Sequence, residues 1–215
     1  MTVNYVAEEG QVKSIYSIEL ASADGKNENM LADYVGKVTL IINTTGHCGN
    51  APQFGVLEEV YQKYKDQGFE ILAVPTNDYC GPGVTYGIYE KGIDDAMMSK
   101  EYGSKEWGAT YEFSELVVSR EARVDDDKDL DRVPHELYQN LNPGGEGSPM
   151  WGNFEKFLID RSGKVIYRFP NCTLLDFGYD TGICDAPEIE RGILEEKIEE
   201  LLSADWDGNI YEPKV

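Results

Sequence analysis

The side chains best equipped for chemistry in this chain are its four cysteines, Cys48, Cys80, Cys172 and Cys184. A thiol becomes a nucleophile or a redox centre as its thiolate, so what surrounds each sulfur decides its use. No two of them are spaced C-x-x-C, and with two histidines in the chain a tetrahedral zinc site is not expected. Cys48 has the most suggestive setting. It follows an apolar run and a Gly, and it precedes a helical pattern. A thiol at the start of a helix meets unpaired N–H groups that favour an anion. The bland alternative is a small apolar side chain filling a core gap; the strand–Gly–Cys–helix context favours the reactive thiol. His47, directly before it, can help to hold a thiolate when protonated, or can be an exposed bystander.

The elements that must position Cys48 are legible around it. Lys37-Val38-Thr39-Leu40-Ile41-Ile42 is a continuous apolar and β-branched run, which suits a strand buried on both faces. Asn50 is the expected N-cap of a helix from Pro52 to Gln67, with Phe54, Leu57, Val60, Tyr61 and Tyr64 on one face and Gly68 as its stop. Phe69 to Val74 is a second buried strand, so these three elements form a right-handed βαβ unit. Pro75 to Gly83 is a turn-rich loop, and ligand sites in open α/β sheets lie beyond such strand ends. Cys80 is therefore expected near Cys48.

The rest of the chain supplies the frame. Residues 1–12 read as a loosely held N-terminal arm, Ser14 to Leu20 as a first strand or edge segment, and Asn29 to Val35 as one helical turn. A weaker helix is expected over 87–103, with Ile88, Ile93, Met97 and Met98 inward, and a strand over Tyr111 to Val118. Asp125 to Asp129 is a charge run that reads as a solvated loop. A short helix at Pro134 to Asn140 and a Gly-rich loop at 142–149 follow. Strands at Phe154 to Asp160 and Val165 to Phe169 pair through an Asp160-Arg161-Ser162-Gly163 turn. A loop at 170–187 carries Cys172 and Cys184, which form either a structural disulfide or two unrelated thiols. Glu188 to Leu202 is the terminal helix, with Ile189, Ile193, Ile198, Leu201 and Leu202 inward. This order predicts an α/β chain with a thioredoxin-like fold, a central mixed sheet flanked by helices.

Composition sets the outer limits. A chain of 215 residues fits a single domain over 1–215 with a full core. A formal net charge of −21 argues against nucleic acid and anionic membrane as partners. No apolar run approaches a membrane span. Met1 to Val12 lacks a basic start followed by an apolar stretch, so no secretory leader is expected and the cytoplasm is the default compartment. Permanent disulfides would be unusual there. Nothing in the sequence specifies an oligomeric state.

Over about residues 13–203 the chain resembles the glutathione peroxidase family. One block runs from Ser14-Ile15-Tyr16 through Asp24-Gly25-Lys26 and Gly36-Lys37-Val38 into Asn43 to Phe54, with a Pro52-Gln53 pair after the cysteine. A second is Gln62 to Phe69, continuing to Pro75-Thr76-Asn77. The third is Trp151-Gly152-Asn153-Phe154-Glu155-Lys156-Phe157-Leu158. The resemblance implies reduction of hydroperoxides by a thiol reductant, thioredoxin or glutathione, with no bound cofactor and no metal. It places Cys48 at the peroxidatic position and Asn153 and Trp151 among the groups that stabilise its thiolate. Gly152 separates Trp151 from Asn153, which the family usually has adjacent. The loop Asn77 to Gly83 lacks the family's Gln, Thr76 replaces a thiol that some relatives carry, and residues 84–105 contain no resolving Cys. Cys80 is either a relocated resolving thiol or an incidental one. Two other uses of the fold compete with the peroxidase: thiol–disulfide exchange, which Cys48-Gly49-Asn50-Ala51 disfavours for want of a second Cys, and a redox-sensing module with weak turnover.

Overall fold

The computed structural model describes residues 4–5, 11–45, 48–79, 93–121, 133–141, 152–169, 171 and 187–213. The apolar run becomes a central strand, β2 (Val38–Thr44), in which every residue is buried. It stays apolar on both faces because both are covered. Val38, Leu40 and Ile42 enter one hydrophobic cluster and Ile41 the other, as the two-residue period of a strand requires.

Two strands flank β2. On one side β3 (Phe69–Pro75) runs parallel, with Val38 opposite Phe69 and Thr44 opposite Pro75. On the other β5 (Lys156–Ile159) runs antiparallel, with Thr39 opposite Ile159 and Ile42 opposite Lys156. With β1 (Asn4–Tyr5), β4 (Glu112–Phe113) and β6 (Val165–Phe169) the mixed sheet has the order β1-β6-β5-β2-β3-β4. This is the expected thioredoxin-like arrangement.

Helix α1 (Gln53–Tyr64) joins β2 to β3 and buries Phe54, Leu57, Val60 and Tyr64. A 3₁₀ turn (Lys65–Gln67) extends it to Gly68, which ends it in the left-handed region at φ 92°. The terminal helix α4 (Pro187–Ser203) packs on the same face through Leu194 and Ile198. Helix α3 (Glu136–Leu141) and 3₁₀ turns at Ile15–Ser17 and Met30–Tyr34 cover the other face.

Some expectations need correction. Ser14 to Leu20 is not a strand: the Ser14 hydroxyl accepts the Tyr16 N–H and starts a 3₁₀ turn. Helix α2 (Ala96–Trp107) begins at an Asp95 N-cap, which accepts the Met98 N–H. It turns Ala96, Ser99 and Gly103 inward and leaves Met97 and Met98 over 40 % exposed. Close approach explains the choice, since a Cβ at Gly103 would lie 2.9 Å from the Phe113 ring. Strand β4 is two residues long, because after Ser114 bridges to Ser22 the chain leaves the sheet.

The N-terminal arm is tied down where it is described. Asn4 and Tyr5 pair with Arg168 and Tyr167. The Gln11 amide donates to the Gly163 carbonyl and accepts the Val165 N–H. Among the described residues no helix is long and apolar enough to cross a membrane.

Candidate active site

Cys48 lies beyond the end of β2, half-buried, on the irregular turn that leads into α1. Two donors from the described residues converge on its sulfur. The backbone N–H of Asn50 is 3.4 Å from Sγ, and the side-chain Nδ2 of Asn153 is 3.9 Å from it. Sulfur accepts hydrogen bonds at longer range than oxygen and more strongly as a thiolate, so both contacts favour the anion.

The helix start works differently from the expectation. Asn50 does not cap α1; its Nδ2 donates to the Asn153 carbonyl at 3.3 Å. The early N–H groups are paired rather than open, with Ala51 donating to Cys48, Gln53 to Asn50, Phe54 to Ala51 and Gly55 to Pro52. Among the described residues the sulfur therefore meets two aimed donors rather than the open end of a helix.

Asn153 arrives from the turn that precedes β5, and that turn is built against local preference. Phe154 sits at φ 68°, the only non-glycine at positive φ among the described residues. The left-handed region costs a bulky residue about 1–2 kcal/mol. The inversion sends consecutive side chains in different directions. Phe154 is fully buried, edge-on to Phe54 at 4.8 Å, while Asn153 faces Cys48.

Asn43, fully buried in β2, holds this turn. Its Nδ2 donates to the Gly152 carbonyl at 2.9 Å and its Oδ1 accepts the Glu155 N–H at 2.8 Å. Its backbone accepts from Phe154 at 2.6 Å and donates to Glu155 at 3.3 Å. Behind the turn, Glu155 and Arg168 form a buried ion pair with Nε 2.8 Å from Oε2. On the outer side a Cβ at Gly152 would lie 2.5 Å from the Asn171 amide, so a larger residue there would displace the Asn171 side chain. The Asn171 carbonyl accepts in turn from Gln53 Nε2 and from the fully buried Lys156, at 3.4 Å.

A second turn follows β3. Thr76 donates its N–H to Thr44, which ties the two strand ends together. The Asp78 carboxylate is 4 % exposed and accepts from the Ser119 N–H, the Ser119 hydroxyl and the Arg120 N–H. The Arg120 guanidinium donates to the Asp78 carbonyl and lies 5.0 Å over the Tyr79 ring. Burial first, then Tyr79, Asp78 and Glu155, pushes the Tyr138 phenol well above its usual range and keeps it protonated. Asn77 uses both atoms of its amide on Ile93, donating to its carbonyl and accepting its N–H, each at 2.9 Å.

The structure thus brings Cys48 and Asn153 together. Trp151, Cys80, His47, Cys172 and Cys184 lie outside the described residues, as do the 125–129 charge run and the 142–149 loop. Sequence reasoning did not single out Asn43, Asp78, Arg120 or Asn171. For Asn43 a signal existed: an amide ending an apolar, fully buried run must find partners for both its atoms.

Comparison with known proteins assigns the family. The family model described as glutathione peroxidase matches residues 15–118. A glutathione peroxidase of Lactococcus lactis is 31 % identical over 193 residues, covering 88 % of this chain and 99 % of its own. Glutathione peroxidase-like peroxiredoxin 2 of Saccharomyces cerevisiae is 33 % identical over 166 residues, covering 74 % of this chain and 89 % of its own. Among solved structures, the apo form of Trgpx superposes with a TM-score of 0.56 at 25 % identity, over 89 % of this chain and 96 % of that one. The fold is thioredoxin-like, and the relatives define the chain as a thiol peroxidase. Within that class, the chain belongs to the glutathione peroxidase family.

Proposed function

We propose that Cys48 is the peroxidatic residue of this thiol-dependent peroxidase, with Asn153 as its side-chain donor. The observation that carries the assignment is the convergence of Asn153 Nδ2 and the Asn50 N–H on the Cys48 sulfur. The Cys48 thiolate attacks one oxygen of a hydroperoxide. The O–O bond breaks, the sulfur takes that oxygen as a sulfenic acid, and the other oxygen leaves as water or an alcohol after gaining a proton. The two donors stabilise the thiolate before attack. Trp151, at the family's Trp position but one residue further from Asn153, is assigned to the same shell.

Cys80 is assigned as the resolving thiol. Its sulfur attacks the sulfenic sulfur, water leaves, and a Cys48–Cys80 disulfide forms, which an external dithiol then reduces. Support comes from β2 and β3, which are parallel neighbours ending together at Thr44 and Pro75, and from the fixed turn at Thr76–Tyr79 that leads directly to Cys80. The proposed reductant is a protein dithiol of the thioredoxin kind in preference to glutathione. A net charge of −21 disfavours an anionic tripeptide, and no Lys or Arg lies between Asn43 and Phe54. A cytoplasmic antioxidant role in the response to oxidative stress suits thiols kept reduced between turnovers.

Steady-state peroxide consumption with thioredoxin, thioredoxin reductase and NADPH tests the assignment. Cys48→Ser should abolish it, and unchanged consumption sinks the mechanism. Replacing thioredoxin with glutathione should raise the reductant's Michaelis constant; a lower constant for glutathione removes the reductant preference. Non-reducing peptide mapping after one equivalent of hydrogen peroxide should show a Cys48–Cys80 link. Sulfenic acid trapped at Cys48 with Cys80 reduced would instead leave a one-cysteine enzyme served by an external thiol.

A further inference from the structure

We propose that Asn43 is a positioning residue for the peroxidatic site, setting the location of the Asn153 amide through the turn it clamps; this rests on the role given above to Asn153. Pairing between β2 and β5 ends at Ile42 opposite Lys156. One residue further on, the regular ladder gives way, because Phe154 inverts the backbone. Asn43 adds its own side chain to the two irregular backbone bonds that remain. The Glu155 N–H finds Oδ1, and the Gly152 carbonyl finds Nδ2. Together with its two backbone bonds, Asn43 contacts residues 152, 154 and 155, on both sides of Asn153.

Few side chains can do this. The site needs one donor and one acceptor on a short, planar group at 0 % exposure. Asp has no donor when ionised, and an aliphatic residue would leave the Gly152 carbonyl and the Glu155 N–H without these bonds in a buried setting. Asn is also disfavoured in strands, so its presence at the end of this one runs against local preference. Such conflicts cluster where function fixes the geometry. The strain at Phe154 points the same way: a backbone in a sparsely populated region persists only when its surroundings over-determine it. The chain from Asn43 to the sulfur has two links, Asn43 to the 152–155 backbone and Asn153 Nδ2 to Cys48.

A positioning role differs from a merely structural one in its coupling to Asn153. The test is a double-mutant cycle on the second-order rate of Cys48 oxidation by hydrogen peroxide, followed by stopped-flow before any resolving step. Asn153→Ala should slow oxidation about 100-fold, the low end for removal of one stabilising donor. Asn43→Ala, confirmed as folded by circular dichroism, should slow it by about 10-fold through misplacement of that donor. The double variant should be no slower than Asn153→Ala alone. A double variant slowed by the product of the two single effects, or Asn43→Ala as fast as the parent, overturns the assignment of Asn43 and leaves that of Asn153 standing. Asn153→Ala as fast as the parent overturns the reading of Asn153 and Asn43 together. Asn43→Asp runs in parallel in case Asn43→Ala does not fold. It is nearly isosteric and, when ionised, keeps the acceptor for Glu155 while losing the donor to Gly152, so the same two outcomes apply at a pH where it is ionised.

Discussion

The strand β5 is flanked at each end by a turn that contains a left-handed residue, and the two turns are built in opposite ways. At its C-terminal end the turn to β6 uses Gly163 at φ 89°. Asp160 Oδ1 accepts from the Ser162 N–H, the Ser162 hydroxyl and the Lys164 N–H, all within five residues. At its N-terminal end the left-handed residue is Phe154 at φ 68°, held by Asn43 from another strand and by the Phe54 ring from a helix. The first turn is made of residues that favour it. The second is made of residues that oppose it, and tertiary bonds impose it. The scaffold end can therefore be changed at the expense of stability alone, whereas the site end ties stability to the placement of Asn153.

The largest expected effect probes the scaffold end. Gly163→Ala puts a side chain at positive φ, about 1–2 kcal/mol. Its Cβ would also fall 1.9 Å from the Ser14 hydroxyl, which donates to Ser162 and accepts from Tyr16. Displacing that hydroxyl adds about 1 kcal/mol per lost bond. Urea melts should show a loss of about 2–4 kcal/mol, with the rate of Cys48 oxidation per folded molecule unchanged. A slowed rate at full stability would break the contrast between the two ends.

The next test sharpens the site end by isolating its backbone strain. Phe154→Ala and Phe154→Gly lose the same ring, and only the second relieves the left-handed conformation. At an ordinary strand position Gly is the less stable of the two by roughly 0.5–1 kcal/mol. At residue 154 the order should invert, with Gly more stable than Ala by about 1 kcal/mol. Equal or normal ordering in urea melts would mean that no strain is stored there.

The smallest effect asks whether acid reaches the scaffold before the site. Burial first, against the raising influence of Glu115 and Glu136, holds the His135 imidazole below its usual range. Its Nδ1 accepts the Leu137 N–H at the start of α3. The unfolded chain therefore binds this proton more readily than the folded one. Stability is full above the unfolded value of about 6.5 and falls as pH drops through it toward the lower folded value. Denaturation midpoints at pH 7.5 and 5.5 should differ more for the parent than for His135→Gln. An equal difference would remove His135 from the pH response.

What was legible in the sequence follows the same divide. β2, β3, α1 and the β5–β6 hairpin announce themselves because period and turn residues agree with the fold. The start of α2 was misplaced because Asp95, not the apolar pattern, sets it, and the helix approaches the sheet through small residues. Asn50 was read as a cap on local grounds, yet its amide is taken by the Asn153 carbonyl, a partner 103 positions away. The juxtaposition of Asn153 with Cys48 came from family resemblance, since no spacing reveals it. Asn43 and the Asp78–Ser119–Arg120 cluster left no periodic mark, because polar pairs between distant segments carry none.

The two bonds between Asn77 and Ile93 join positions 16 residues apart in the sequence. A loop whose ends are already joined contributes to stability through closure entropy, which rises only with the logarithm of its length. Doubling it costs about 0.6 kcal/mol. The clasp therefore makes the stability of the sheet insensitive to the length of chain between residues 77 and 93. As long as the Asn77 amide is kept, the chain between residues 77 and 93 can be lengthened or shortened at little cost to the strand ends that precede it.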